Sequence, residues 1–221
     1  VKWRIAQPYD PRPVDVEAVT IDAYGTLIEL TDPVPPLQAA LAARGVERTD
    51  AQVRAAFAAE VAFYVVRSYE GRDAATLAGL RRDCTAVFLE AAAAPLDPDE
   101  FVPAFVDSIA FEELPGAADS LRDLAAARLR LAIVSNWDIG LHDHLAALGL
   151  DRLVDTVVTS AEAGAPKPGS AVFHLALTRL GADAARTVHI GDSATDADGA
   201  RAAGMRFEPA PLADAAARIL R

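Results

Sequence analysis

Among 221 residues there is one cysteine, Cys84, and although 21 side chains are basic only two of them, Lys2 and Lys167, are lysine. A single cysteine excludes an internal disulfide and the clustered thiolates of a zinc site. Basic charge is scarce as well. Against 21 Lys and Arg stand 32 Asp and Glu, a net charge of −11, which excludes a generic nucleic-acid binder that relies on phosphate contacts. No apolar run approaches the roughly 20 residues of a membrane span. The opening VKWRIAQPYDPRP places charges and prolines where a signal peptide needs an apolar stretch, so a cytoplasmic protein with neither nucleic-acid nor membrane partners is expected. What is abundant is core-forming material. An apolar share of 52% with 24% charged residues is that of a globular protein, long enough for one domain and a modest insertion.

After an irregular leader (1–15), the run VEAVTIDAYGTL predicts a short buried strand ending near Asp22 and a Gly-Thr turn. From 33 to 110 the signals are helical. Val53, Phe57, Val61, Tyr64 and Val65 share one helix face, as do Leu77, Leu80, Cys84, Val87, Phe88 and Ala91, and then Phe101, Val102, Phe105, Val106 and Ile109. Thr49-x-x-Gln52 and Asp97-Pro98-x-Glu100 read as capping boxes. Beyond Leu114-Pro115-Gly116, helices at 117–128, 139–148, 170–180, 195–203 and 211–220 alternate with strands LRLAIVS, DTVVTS, RTVHIGD and MRFEP. Such alternation requires right-handed crossovers and a parallel sheet covered on both faces. The expected fold is therefore α/β, an open, Rossmann-like parallel sheet formed by 1–30 and 114–221, with a helical cap, 31–113, inserted after the first strand.

In an open parallel sheet the ligand site lies outside the carboxyl ends of the strands. Asp22 stands at the first of these ends with Tyr24, Gly25 and Thr26 behind it. Ser135 and Asn136 end the second strand, Lys167 lies in the loop after the third, and Gly191-Asp192 ends the fourth with Asp196 and Asp198 following. In a chain that uses arginine almost everywhere, a lysine in this loop points to a compact point charge in a tight anionic site. Aspartates from separate strands repel unless a cation intervenes, and with no His or Cys in the group they suit a hard ion held by oxygens, Mg²⁺ first.

The segments Asp22-Ala-Tyr-Gly-Thr-Leu27, Val134-Ser135-Asn136, Lys167-Pro168 and Gly191-Asp192-Ser-Ala-Thr-Asp196 resemble, in order, the four motifs of the haloacid dehalogenase-like hydrolase superfamily, with the cap between the first two. The resemblance runs from about 18 to 208. It implies that Asp22 is a nucleophile forming a covalent ester that water then opens. It also implies that Ser135 and the neighbouring backbone amides hold the transferring oxygens, with Asn136 counted among the catalytic residues, that Lys167 balances charge, and that Asp196 orients Lys167 or metal-bound waters. Mg²⁺ would be held by Asp22, the Tyr24 carbonyl and Asp192. Thr26 and Arg54 are candidates for substrate binding.

One position departs from the phosphatase pattern. Where those enzymes carry a second aspartate that protonates the leaving alkoxide, this chain has Tyr24, as the 2-haloacid dehalogenases do, since halide leaves without a proton. Asp192 points the other way, because carbon–halogen displacement needs no metal while a phosphoryl dianion must be neutralised before a carboxylate approaches. The expected activity is a Mg²⁺-dependent phosphatase acting on a small phosphorylated metabolite through an aspartyl-phosphate on Asp22. The alternative is a metal-independent 2-haloacid dehalogenase in which Arg54 receives the halide. A branch that forms a Schiff base through a cap lysine is excluded, since 33–110 contains none. A catalytically silent binding protein is the non-enzyme reading, and the intact set of Asp22, Ser135, Lys167 and Asp192 speaks against it. Monomer and homodimer are both open.

Overall fold

The computed structural model describes residues 15–221; the leader read from the sequence at 1–15 lies outside the described residues except for Asp15. Five parallel strands form the main sheet: β1 (Ala18–Ile21), β4 (Arg130–Ser135), β5 (Thr156–Thr159), β6 (Thr187–Gly191) and β7 (Arg206–Pro209), in the order β5-β4-β1-β6-β7. The first strand sits centrally, flanked by β4 with Ile21 opposite Ile133 and by β6 with Ile21 opposite Ile190. Chain direction across the sheet reverses at this strand, which opens a crevice at its carboxyl end.

Successive strand residues point to opposite faces, and both faces are apolar. Val19, Ile21, Leu131 and Ile133 pack against α5 (Ala117–Ala126), α6 (Leu141–Leu148) and α10 (Leu212–Ile219). Ala18, Ala132 and Val134 face α8 (Ala171–Leu180) and α9 (Ala194–Ala202) instead. A one-turn helix, α7 (Ser160–Ala163), follows β5.

Between β1 and α5 lie α1 (Val34–Ala42), α2 (Asp50–Val65), α3 (Ala74–Ala91) and α4 (Pro98–Asp107). These helices have their own core, in which Phe88 stacks on Phe101 at 6.2 Å and meets Phe105 at 5.2 Å. The Thr49–Gln52 capping box forms. The second expected box does not: Asp97 caps α4 by accepting from the Asp99 N–H, and Glu100 does not reciprocate. A two-stranded antiparallel ribbon, β2 (Ile28–Leu30) with β3 (Phe111–Glu113), ties the two ends of the helical segment together; it was not expected from the sequence. Among the described residues no helix is long and apolar enough to cross a membrane.

Val61 and Val65 show where a shared helix face stops being buried. They share a face with Val53 and Phe57 as the periodicity requires, yet Val61 is 36% and Val65 62% exposed, because the lower part of α2 borders an open cavity and not the helical core.

Candidate active site

The three central strands deliver their polar ends to one point. β1 ends at Ile21, and the next residue, Asp22, ties its N–H to the Ile190 carbonyl of β6 at 2.9 Å. Ser135, the last residue of β4, donates its hydroxyl to Asp22 Oδ1 at 3.1 Å. Lys167 Nζ donates to the same oxygen at 2.6 Å, to Asp196 Oδ1 at 2.6 Å and to the Val134 carbonyl at 3.1 Å. All three ammonium hydrogens are used, on a buried side chain whose compact charge a broad guanidinium fork would not reproduce. Burial alone would lower the Lys167 pKa. Asp22 and Asp196 outweigh it and hold the ammonium charged above its ordinary range.

Asn136 binds the backbone and not the centre of the site. Its Oδ1 accepts the Lys167 N–H at 2.6 Å and its Nδ2 donates to the Lys167 carbonyl at 3.1 Å. Both ends of the side-chain amide are thereby spent on aiming the lysine.

Asp196 is claimed from every side. Besides Lys167 it meets His189 Nε2 at 3.1 Å, and its Oδ2 takes the Ser193 N–H at 3.2 Å and the Ser193 hydroxyl. Burial acts against the carboxylate, but the His189, Lys167 and Ser193 hydrogen bonds together hold it well below the usual carboxylate range. His189 is fully buried and kept neutral chiefly by that burial. Because a carboxylate only accepts, Nε2 carries the ring proton and Nδ1 accepts from the Thr20 hydroxyl at 2.9 Å. Neither His189 nor Thr20 was singled out from the sequence: both lie inside strands, and only the parallel pairing of β1 with β6 places them side by side.

Asp192 is different. It is exposed, and burial together with the Asp22 and Asp196 carboxylates raises its pKa. Oxygens of Asp22, Asp192 and Asp196 lie within 4.8 Å of one another. Three carboxylates thus face one ammonium. Gly25 makes the approach possible: it has φ +79°, and a Cβ there would stand 2.2 Å from Asp192 Oδ2. Gly191 does the same for Asp196, whose Cγ would lie 2.5 Å from a Cβ. The donor set fits a hard divalent cation. Asp196 is engaged by the protein, while Asp22 and Asp192 offer carboxylate oxygens and no described residue donates to the Tyr24 carbonyl.

Other expected site residues sit farther out. Tyr24 is 51% exposed, with its ring 6.5 Å from that of Trp137. Thr26 is buried, and its hydroxyl has no hydrogen-bond partner. Arg54 does not reach the site: its side chain is largely exposed on α2 and is paired with Asp32 at 3.5 Å, so the cation foreseen for a departing halide is held elsewhere.

Beside the centre, between the strand ends and α2–α4, is a cavity of about 280 Å³. Tyr24 and Asn136 border it on one side; Phe57, Val61, Val106 and Ile109 give it a mainly apolar wall. Tyr64 spans the two layers, donating its hydroxyl to Asp138 Oδ2 at 2.8 Å. Glu60, Tyr64 and Arg81 also line the cavity, while Arg67, Tyr69, Arg72 and Arg82 do not; Arg82, for example, is paired with Asp99 at 2.7 Å.

Residues 16–204 match the model of the family described as haloacid dehalogenase-like hydrolase. A bovine (Bos taurus) haloacid dehalogenase-like hydrolase domain-containing protein 3 is 45% identical over 96 residues, covering 43% of this chain and 38% of the relative. A ribulose-1,5-bisphosphate 5-phosphatase from Halopiger xanaduensis is 34% identical over 122 residues, 53% of this chain and 50% of that protein. The chain therefore spans half or less of the length of these relatives. In fold, it is similar to the HAD-hydrolase YfnB from Bacillus subtilis bound to magnesium, with a TM-score of 0.67 at 18% identity over 87% of each chain.

Proposed function

This chain belongs to the haloacid dehalogenase-like hydrolases, and we propose that within them it is a Mg²⁺-dependent phosphomonoesterase that uses Asp22 as its nucleophile. The observation that carries this reading is Asp192 set against Asp22 across Gly25. A third carboxylate drawn toward two others that already share one ammonium raises local repulsion, which a bound divalent cation would offset. Phosphatase-named relatives, including the ribulose-1,5-bisphosphate 5-phosphatase, point the same way.

The carboxylate of Asp22 is held for attack by Ser135 and Lys167, both on Oδ1, which leaves Oδ2 unclaimed. Attack on phosphorus forms the Asp22–phosphoryl bond as the bond to the leaving oxygen breaks and that oxygen departs with the electron pair. Water then attacks the same phosphorus and returns the carboxylate. Lys167 stays charged throughout, held by Asp196, and offsets negative charge gathering at Asp22. Mg²⁺, held by Asp22, Asp192 and the Tyr24 carbonyl, would neutralise the phosphoryl oxygens. Residues 31–113 are read as a cap that closes over this centre and shields it from water.

No carboxylic acid stands at position 24, so the leaving group departs without a strong proton donor. Aryl and acyl phosphates tolerate that; alkyl phosphates do not. The same Tyr24 favours a second reading, a 2-haloacid dehalogenase. That reading needs a halide-binding cation, and Arg54 is engaged with Asp32 at the surface. Phosphate release from an aryl phosphate that EDTA abolishes and Mg²⁺ restores supports the first reading. Halide release from a 2-haloacid in EDTA, with no phosphate release under Mg²⁺, overturns it.

A further inference from the structure

Glu60 has no part in the mechanism above, yet it is 4% exposed and borders the cavity. A buried carboxyl ordinarily has strong donors around it. Among the described residues Glu60 meets only the Cys84 thiol, a weak donor whose own ionisation is suppressed by burial. The other buried acid of the cavity, Asp138, is satisfied: it accepts from the Tyr64 hydroxyl at 2.8 Å and the Gly140 N–H at 2.6 Å, with Arg81 nearby. Burial pushes the Glu60 carboxyl up to about 7.

The rest of the wall is mainly apolar, although Tyr64, Arg81, Asn136, Asp138 and His144 also line it, and Tyr24, Val61 and Val65 are exposed at the rim. A sugar-like group, with a hydroxyl on each carbon, would leave most of them unpaired in such a space. At about 280 Å³ the cavity sits near the lower end of ligand pockets, roughly the room for one substituted ring. Its position fixes which part of a substrate it receives. Tyr24 lies two residues from Asp22, and Asn136 follows the serine that holds Asp22, so the cavity opens beside the reacting carboxylate.

We propose that this cavity receives the leaving group of the phosphoester, and that the group is an apolar body, a ring or its equivalent in size, ending in one hydroxyl or ammonium donor that Glu60 accepts. This rests on the phosphomonoesterase reading. Glu60 is then a specificity-determining residue: it touches the substrate at the end away from the phosphorus.

The test uses three near-isosteric para substituents, ethyl, hydroxymethyl and aminomethyl, on phenol and on phenyl phosphate, at pH 8. Calorimetric Kd values of the phenols read the cavity without any chemistry; kcat/KM for the phosphates with Mg²⁺ reads the reaction. In wild type, at least one donor-bearing phenol is expected to bind roughly 10- to 100-fold tighter than 4-ethylphenol, the range for a hydrogen bond to a charged acceptor. Glu60→Leu should erase or invert that order. Glu60→Gln, which keeps the shape and a carbonyl, should retain part of the hydroxymethyl preference and lose the aminomethyl one. Equal binding of the three phenols, no binding of any, or a preference that survives Glu60→Leu overturns the inference. If the phenol ranking holds while no phosphate is released, the inference about the cavity stands and the phosphatase reading falls; if all three phosphates turn over alike, the reverse follows.

Discussion

The side-chain amide of Asn136 closes a reciprocal pair of hydrogen bonds on the backbone of Lys167, accepting from its N–H at 2.6 Å and donating to its carbonyl at 3.1 Å. Through that grip the end of β4 sets where the lysine leaves its loop, and so where its ammonium meets Asp22 and Asp196. Asn136→Ala is expected to cost about 1–2 kcal/mol of stability for two lost hydrogen bonds. Its larger effect should be on kcat, lowered roughly 100-fold by misplacement of Lys167, with KM changed far less. Steady-state kinetics beside a thermal melt check both; a rise in KM at unchanged kcat would place the amide on the substrate instead.

Gly25 and Gly45 form a matched pair for testing the Asp192 site. Both have positive φ, but a Cβ at Gly45 meets nothing within 4 Å while one at Gly25 would stand 2.2 Å from Asp192 Oδ2. Each Gly→Ala change should cost about 1–2 kcal/mol for the left-handed backbone. Only Gly25→Ala should also weaken Mg²⁺ binding, by roughly tenfold or more, since Asp192 must move. Titration of the two variants with Mg²⁺, followed by the shift in melting temperature, checks this.

The Glu60 carboxyl makes a pH prediction with a definite sign. Its pKa is raised by burial from 4.5 to about 7, so between those values the folded chain holds a proton that the unfolded chain has lost. Stability from this group is therefore full below about pH 4.5, falls as pH rises toward 7 and is flat above. The loss amounts to about 3 kcal/mol. Glu60→Gln removes the titration, so its melting temperature relative to wild type should climb between pH 5 and 7 and then level off. A difference that does not vary with pH contradicts the assignment.

Tyr24→Asp places a carboxylic acid where the chain has a phenol. Alkyl phosphates, whose leaving oxygen needs a proton, should gain roughly 100-fold or more in kcat/KM, while 4-nitrophenyl phosphate should change little. Comparison of the two substrates in the variant and the wild type checks this.

Much of the fold was legible because its signals are local. Alternating apolar runs and helical periods gave the sheet and the helical segment, and the rarity of lysine drew attention to Lys167. The β2–β3 ribbon was not legible: its strands, IEL and FEE, are three residues each, carry three glutamates, and pair across some 80 residues of chain with no hairpin turn between them. Periodicity grouped Val61 and Val65 with the face of α2 correctly, but a period tells which residues share a face and not what that face meets. His189 and Thr20 lay hidden inside strands, where buried polar residues are visible only once the strand order is known. For Arg54 the sequence offered a charge on a helix and no means of seeing Asp32 beside it.

The most direct measurement is peptide mass mapping after acid quench of the enzyme during turnover of an aryl phosphate with Mg²⁺. The expected result is one added phosphoryl group on the peptide that contains Asp22, absent when EDTA is present and absent in Asp22→Asn. A phosphoryl-free Asp22 peptide under turnover, or an ester formed on Asp22 from a 2-haloacid without metal, would contradict it.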